Sequence, residues 1–167
     1  MSEGEENPFW DYSLAHYARP EVAQTCLALQ DSLGANVNLL LFCCWLGSRG
    51  ESLSDARLSR AVQLIAEWDL NVVQPLRQVR CFLRQCPQAA EKMAATVAEL
   101  ELDAERVVQN SLAGWWLGTV GGEKIATESE PDVAVLQRHN IGLYLNTLGS
   151  AVLSENSPLF WPLNSSH

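Results

Sequence analysis

Positive charge is scarce in this chain of 167 residues. Eleven lysines and arginines stand against 20 aspartates and glutamates, giving a net charge of −9 and a pI near 4.7. A general nucleic-acid binder needs a basic face to displace counterions, so that class is not expected. Electrostatic attraction to an anionic membrane is not expected either. Long apolar runs are also missing. The longest uninterrupted one, residues 39–46, falls far short of the roughly 20 residues that span a bilayer, so no membrane insertion is expected. The five cysteines, at 26, 43, 44, 81 and 86, are odd in number and include no C-x-x-C pair, so no zinc site is expected. The acidic, polar start Met1-Ser2-Glu3-Gly4-Glu5-Glu6 lacks the character of a secretory leader. Free thiols in a reducing cytoplasm follow as the expectation. Alternating patterns that would pair as strands are absent, as are internal repeats.

What is present reads as helix. The run Leu39-Leu40-Leu41-Phe42-Cys43-Cys44-Trp45-Leu46 is rich in leucine and poor in β-branched residues, which favours a helix over a strand. Asn36 is placed to cap it. A helix that is apolar on every side must be covered on every side. The chain is therefore expected to be all-α, a single-domain bundle of about six or seven helices around a buried central helix, 37–46.

Local signals divide the rest. Residues 1–6 are expected to be a disordered acidic tail, with the bundle over 7–153. Asn7-Pro8 opens a first helix, with Phe9, Trp10, Leu14 and Tyr17 turned inward. A second helix runs from Pro20 to Leu33, burying Val22, Ala23, Cys26, Leu27 and Leu29, and Gly34 ends it. Ser52 or Ser54 caps the fourth. Apolar spacing then continues past Pro75, which predicts either a kink or a break at which Asn71 caps a new helix; the break is preferred. A long helix is expected over 88–113, its seam at Met93, Val97, Leu100, Ala104, Val107 and Ser111. That seam would also permit a homodimer. Residues 118–130 are expected to be a flexible loop. A last helix follows to about 153, with Val133, Leu136, Ile141, Tyr144, Leu148 and Val152 on its core face. Residues 154–167 form a tail whose apolar 158–163 stretch could anchor a partner.

Few patterns carry chemistry. Gly118-Thr119-Val120-Gly121-Gly122-Glu123-Lys124 superficially matches a phosphate loop, but Ile125 stands where Ser or Thr should follow the lysine. His16, His139 and His167 sit beside no recognisable nucleophile. Glu99 with Asp103, and Glu101 with Glu105, have the spacing of di-metal ligands but no neighbouring histidine, so a solvated acidic face is expected. Neither metal nor cofactor is expected. Arg77, Arg80 and Arg84 share one helix face. They could dock a carboxylate or phosphate. An antiparallel helix pair would instead set Arg84 level with Glu91 and Arg77 with Glu99. Asp31, Asn36 and Asn38 could line a small pocket, and Trp45 could anchor an apolar groove.

The strings Phe9-Trp10-Asp11-Tyr12-Ser13-Leu14-Ala15-His16-Tyr17-Ala18-Arg19-Pro20, Leu29-Gln30-Asp31 and Asn36-Val37-Asn38-Leu39-Leu40-Leu41-Phe42 are similar to a family of short proteobacterial proteins known only as a domain of unknown function. The resemblance spans roughly the N-terminal two-thirds. It implies a bacterial cytoplasmic protein and brings no activity, cofactor or catalytic residue with it. The expected function is a non-enzymatic protein-interaction or regulatory module with a protein partner. The alternatives are a binder of a small apolar or lipid-like ligand, and an enzyme of unfamiliar type built on Asp31, Asn36, Asn38 and Arg77.

Overall fold

The computed structural model describes residues 7–86, 90–119, 132–149 and 157–160. Among them are α1 (Pro8–Tyr17), α2 (Pro20–Leu33), α3 (Val37–Ser48), α4 (Asp55–Trp68), α5 (Gln74–Arg84), α6 (Glu91–Thr119) and α7 (Val133–Thr147), and no strand. The chain is an all-α bundle.

Helix α3 is the hub because its sequence leaves it no solvent face. Every residue from Asn38 to Gly47 is buried, with α1, α2, α6 and α7 packed around it. Full burial of side chains such as Leu40, Phe42 and Leu46 contributes about 2–3 kcal/mol each. Its start is fixed locally. Gly34 closes α2 with φ 67°, a conformation that favours glycine. Asn36 Oδ1 then accepts the N–H groups of Asn38 and Leu39 at 2.9 and 3.3 Å.

Helices α3 and α7 approach closely. A Cβ built on Gly47 would lie 2.8 Å from the Gln137 Cα, so no larger residue fits without displacing backbone. Two buried amides of α7 complete the contact. Gln137 Nε2 donates to the Cys44 carbonyl at 3.1 Å. Asn140 Nδ2 donates to the Cys43 carbonyl at 3.3 Å, and its Oδ1 accepts from the Leu53 N–H at 2.7 Å. The buried face of α7 is thus Gln137, Asn140, Ile141, Tyr144 and Leu145. The expected face shared only Ile141 and Tyr144 with it. The helix stops at Thr147 rather than near 153, and Gly149 follows with φ 76°.

Several other expectations need correction. No break occurs at Asn71. A π turn, Asp69–Val73, joins α4 directly to α5, and the Gln74 N–H reaches back five residues to the Asp69 carbonyl. The wider turn accommodates Pro75, which has no N–H to give. Asn71 stays inside the rod and donates to the Glu67 carbonyl at 2.8 Å. Helix α6 continues through Gly114 and Gly118 to Thr119, so the expected loop cannot begin at 118; 120–130 lies outside the described residues, as does the acidic tail 1–6.

The expected α6 seam is only partly right: Ala104 is buried and Val97 half-buried, but its larger members turn outward. Met93, Leu100 and Val107 are 59%, 50% and 42% exposed. The packed stripe is Ala94, Glu101, Ala104, Val108, Leu112 and Trp116, rotated by about one residue, or 100°. The tail does not hang free throughout. In the 3-10 turn Pro158–Phe160, Leu159 is fully buried and its carbonyl accepts from Cys44 Sγ at 3.4 Å. Trp45 is core as well, stacked on Phe9 with centroids 5.1 Å apart.

Candidate functional site

A trough of about 320 Å³ runs between α1, α2, α3, α5 and α6. Helical spacing builds its walls. Helix α1 contributes Trp10, Ser13, Leu14 and Tyr17, and α5 contributes Arg77, Arg80 and Arg84; both sets step by three or four residues and so share a face. Helix α6 supplies Ala98, Glu101, Leu102, Glu105 and Gln109 by the same rule. From Ala98 to Gln109 that stripe covers about 16 Å of helix axis. Val37, Asn38 and Leu41 of α3 and Leu27 and Gln30 of α2 complete the lining. Leu14 and Leu27, expected in the core, are 50% and 46% exposed because they border this opening.

One wall is ionic. Arg77 Nε lies 3.0 Å from Glu101 Oε1, and its Nη2 lies 3.0 Å from Glu105 Oε1. Arg80 also holds Glu101, through Nε and, at 3.1 Å, Nη2. Glu101 is therefore a buried carboxylate between two guanidiniums. Burial alone would raise its pKa, but the bonds from Arg80, then Arg77, outweigh that and hold it below the ordinary carboxylate range. Glu105 shifts the other way. Burial raises it, and Arg77 offsets only part of the effect. The expected solvated acidic face is thus wrong for Glu101 and Glu105. The antiparallel pairing of α5 with α6 is present, but in another register: Arg77 meets 101 and 105 rather than 99. Arg84 is exposed and makes no ion pair among the described residues.

The inner end is neutral and polar. Gln109 Nε2 donates to Asn38 Oδ1 at 2.8 Å. Ser13 and Gln109 are each 3% exposed, yet Ser13 Oγ and Gln109 Oε1 find no hydrogen-bond partner among the described residues. Open polar atoms are rare in packed interiors.

A second cavity of about 280 Å³ adjoins, with Gln30 and Arg77 lining both. At its edge Asp69 accepts from Asn36 Nδ2 at 2.9 Å and Gln74 Nε2 at 2.6 Å, and the Asn36 N–H donates to Tyr144 Oη at 2.8 Å. The structure thus places Asn38, Arg77, Arg80 and Arg84 on the trough and Asn36 on the adjoining cavity. Asp31 is exposed on α2 and lines neither; Trp45 lines neither. Sequence reasoning passed over Ser13 and Gln109. The available signal was a polar residue falling on the core spacing of its own helix.

The buried thiols and His16 are poorly placed for covalent chemistry. Burial pushes the Cys26 thiol up to about 12 and raises Cys43 and Cys44 further. His16 is fully buried and lowered to about 4, chiefly by burial and then by Arg19, with the Leu159 backbone offsetting part of this.

Fold and site together define an all-α bundle around the buried helix α3, with a trough beside it whose lining is part ionic and part apolar. The chain belongs to the family described as Protein of unknown function (DUF2390), which matches residues 8–112. Every residue lining the trough lies inside that segment. No curated protein and no solved structure matches the chain.

Proposed function

We propose that this protein is a non-enzymatic binding module, regulatory in role, and that it holds a small amphipathic ligand in the trough. The observation that carries this reading is the pair of buried, unpartnered polar atoms, Ser13 Oγ and Gln109 Oε1, on residues lining a cavity whose volume is within the range of small-molecule sites. A bound group that pairs with them would remove a desolvation cost of about 1–3 kcal/mol per atom. Recognition is favoured over catalysis because Arg77 and Arg80 are engaged with Glu101 and Glu105, while the buried thiols and His16 are shifted away from reactive forms. The test is a thermal-shift screen of the full chain against small amphiphiles, run beside Ala98→Trp, which fills the trough. Compounds that raise Tm in the parent and not in the variant support the reading. A screen in which the two proteins respond alike contradicts it.

A second reading, an adaptor that docks a protein partner or a second copy, is favoured by a different observation. Met93, Leu100 and Val107 recur every seven residues along α6 and stay exposed, and Phe82 on α5 is 67% exposed. Exposed apolar surface of this kind marks interaction sites. Sedimentation of the parent and of Leu100→Ser over a range of concentrations tests the second copy: concentration-dependent self-association lost in the variant supports it, and monomers throughout contradict it.

A further inference from the structure

The two ends of the trough differ in chemistry, and the difference restricts what fits between them. This inference rests on the reading that the trough is a ligand site. At the inner end the Gln109 amide cannot simply turn to satisfy its oxygen, because its nitrogen is already committed to Asn38. Gln109 Oε1 therefore calls for a donor from the ligand. Ser13 Oγ can donate or accept, so a ligand hydroxyl can pair with either atom. At the outer end the lining carries three guanidiniums, of Arg77, Arg80 and Arg84, against the two carboxylates of Glu101 and Glu105. The trough thus has an excess of one positive charge in a chain whose net charge is −9. That excess resides at Arg84, which is exposed and makes no ion pair among the described residues. Trp10, Leu14, Leu27 and Leu41 supply the apolar lining.

We infer that the ligand is an elongate amphipathic carboxylate. Its carboxylate pairs with Arg84, its apolar body lies along Trp10, Leu14 and Leu27, and a hydroxyl at its far end donates to Gln109 Oε1. The α6 lining alone, from Ala98 to Gln109, runs about 16 Å, which suits an extended molecule rather than a compact one.

The test is calorimetric titration of the full chain with four probes below their micelle concentrations: decanoate, 10-hydroxydecanoate, 1-decanol and decylamine. The hydroxy acid is expected to bind with one site per chain, about fivefold tighter than decanoate, the ratio that one neutral hydrogen bond supplies. Decylamine is expected to bind more weakly than decanoate. Arg84→Gln should weaken both carboxylates several-fold and leave 1-decanol unchanged. Gln109→Leu should remove the advantage of the hydroxyl and spare decanoate. Because Gln109 also supports Asn38, Ser13→Ala provides a milder variant with the same expected direction. If decylamine or 1-decanol binds as tightly as decanoate and Ala98→Trp abolishes that binding, the carboxylate assignment is overturned and the ligand site survives. If none of the probes binds and Ala98→Trp behaves as the parent in the thermal screen as well, both fall.

Discussion

Gln109 donates its side-chain N–H to Asn38 Oδ1 at 2.8 Å, linking α6 to the first turn of α3 inside the bundle. The bond has two consequences. It satisfies a buried amide nitrogen, and it leaves the amide oxygen with no donor among the described residues. Local stability and an open binding position thus come from one side chain. The neighbouring Arg77–Glu101–Arg80 cluster differs, because its charges are largely spent on one another.

That ionic cluster is expected to be structural. Glu101→Gln would leave two partly buried guanidiniums sharing the weaker support of Glu105. The expected cost is about 2–3 kcal/mol, below the full figure for a buried pair because the arginines keep some solvent. Urea unfolding at pH 7 measures it, with the exposed Glu99→Gln as a control expected to stay within about 0.5 kcal/mol. Equal effects of the two substitutions would show that the cluster contributes little.

Gly47→Ala should destabilise the chain out of proportion to one methyl group. The added Cβ meets the backbone of Gln137 rather than a flexible side-chain tip, so α3 and α7 must separate. A loss of about 2–3 kcal/mol is expected, in the range of overpacking. Gly114→Ala, with open space around its Cβ position, should be neutral or slightly stabilising because alanine favours helix. Thermal unfolding of both variants checks the contrast.

His16 should make stability depend on pH. Its folded pKa of about 4 lies below the ordinary 6.5. Between those values the unfolded chain binds more protons, so stability falls as pH drops through that window. The expected loss is about 3 kcal/mol. Glu101, whose folded pKa is depressed, adds a further loss below about pH 4.5. Urea midpoints from pH 7 to 4.5 should slope in the parent and flatten in His16→Phe. A slope that survives the substitution would place its origin elsewhere.

Features set by neighbours in sequence were legible. Asn7, Asn36 and Gly34 act where their types and positions predict, because caps and left-handed turns are local. The hub helix was legible because its composition leaves it no exposed side. Misreadings arose where distant contacts decide. The α6 sequence carries two candidate stripes, and the buried one includes a glutamate that can be inside only because arginines from α5 reach it. The α5–α6 register depends on the connection between them, which no periodicity fixes. Leu159 docks on the bundle from a segment far along the chain, a contact no local pattern announces. The three arginines were recognised as a group by spacing, but Ser13 and Gln109 acquire meaning only when α1, α3 and α6 are assembled.

The most direct measurement is side-chain NMR of the full chain titrated with 10-hydroxydecanoate. A ligand seated in the trough shifts the Gln109 amide and the Trp10 indole N–H and leaves the Met93 methyl, on the exposed stripe of α6, where it was. Shifts confined to Met93 and the aromatic ring of Phe82, with Gln109 and Trp10 unmoved, would contradict the trough as the binding site.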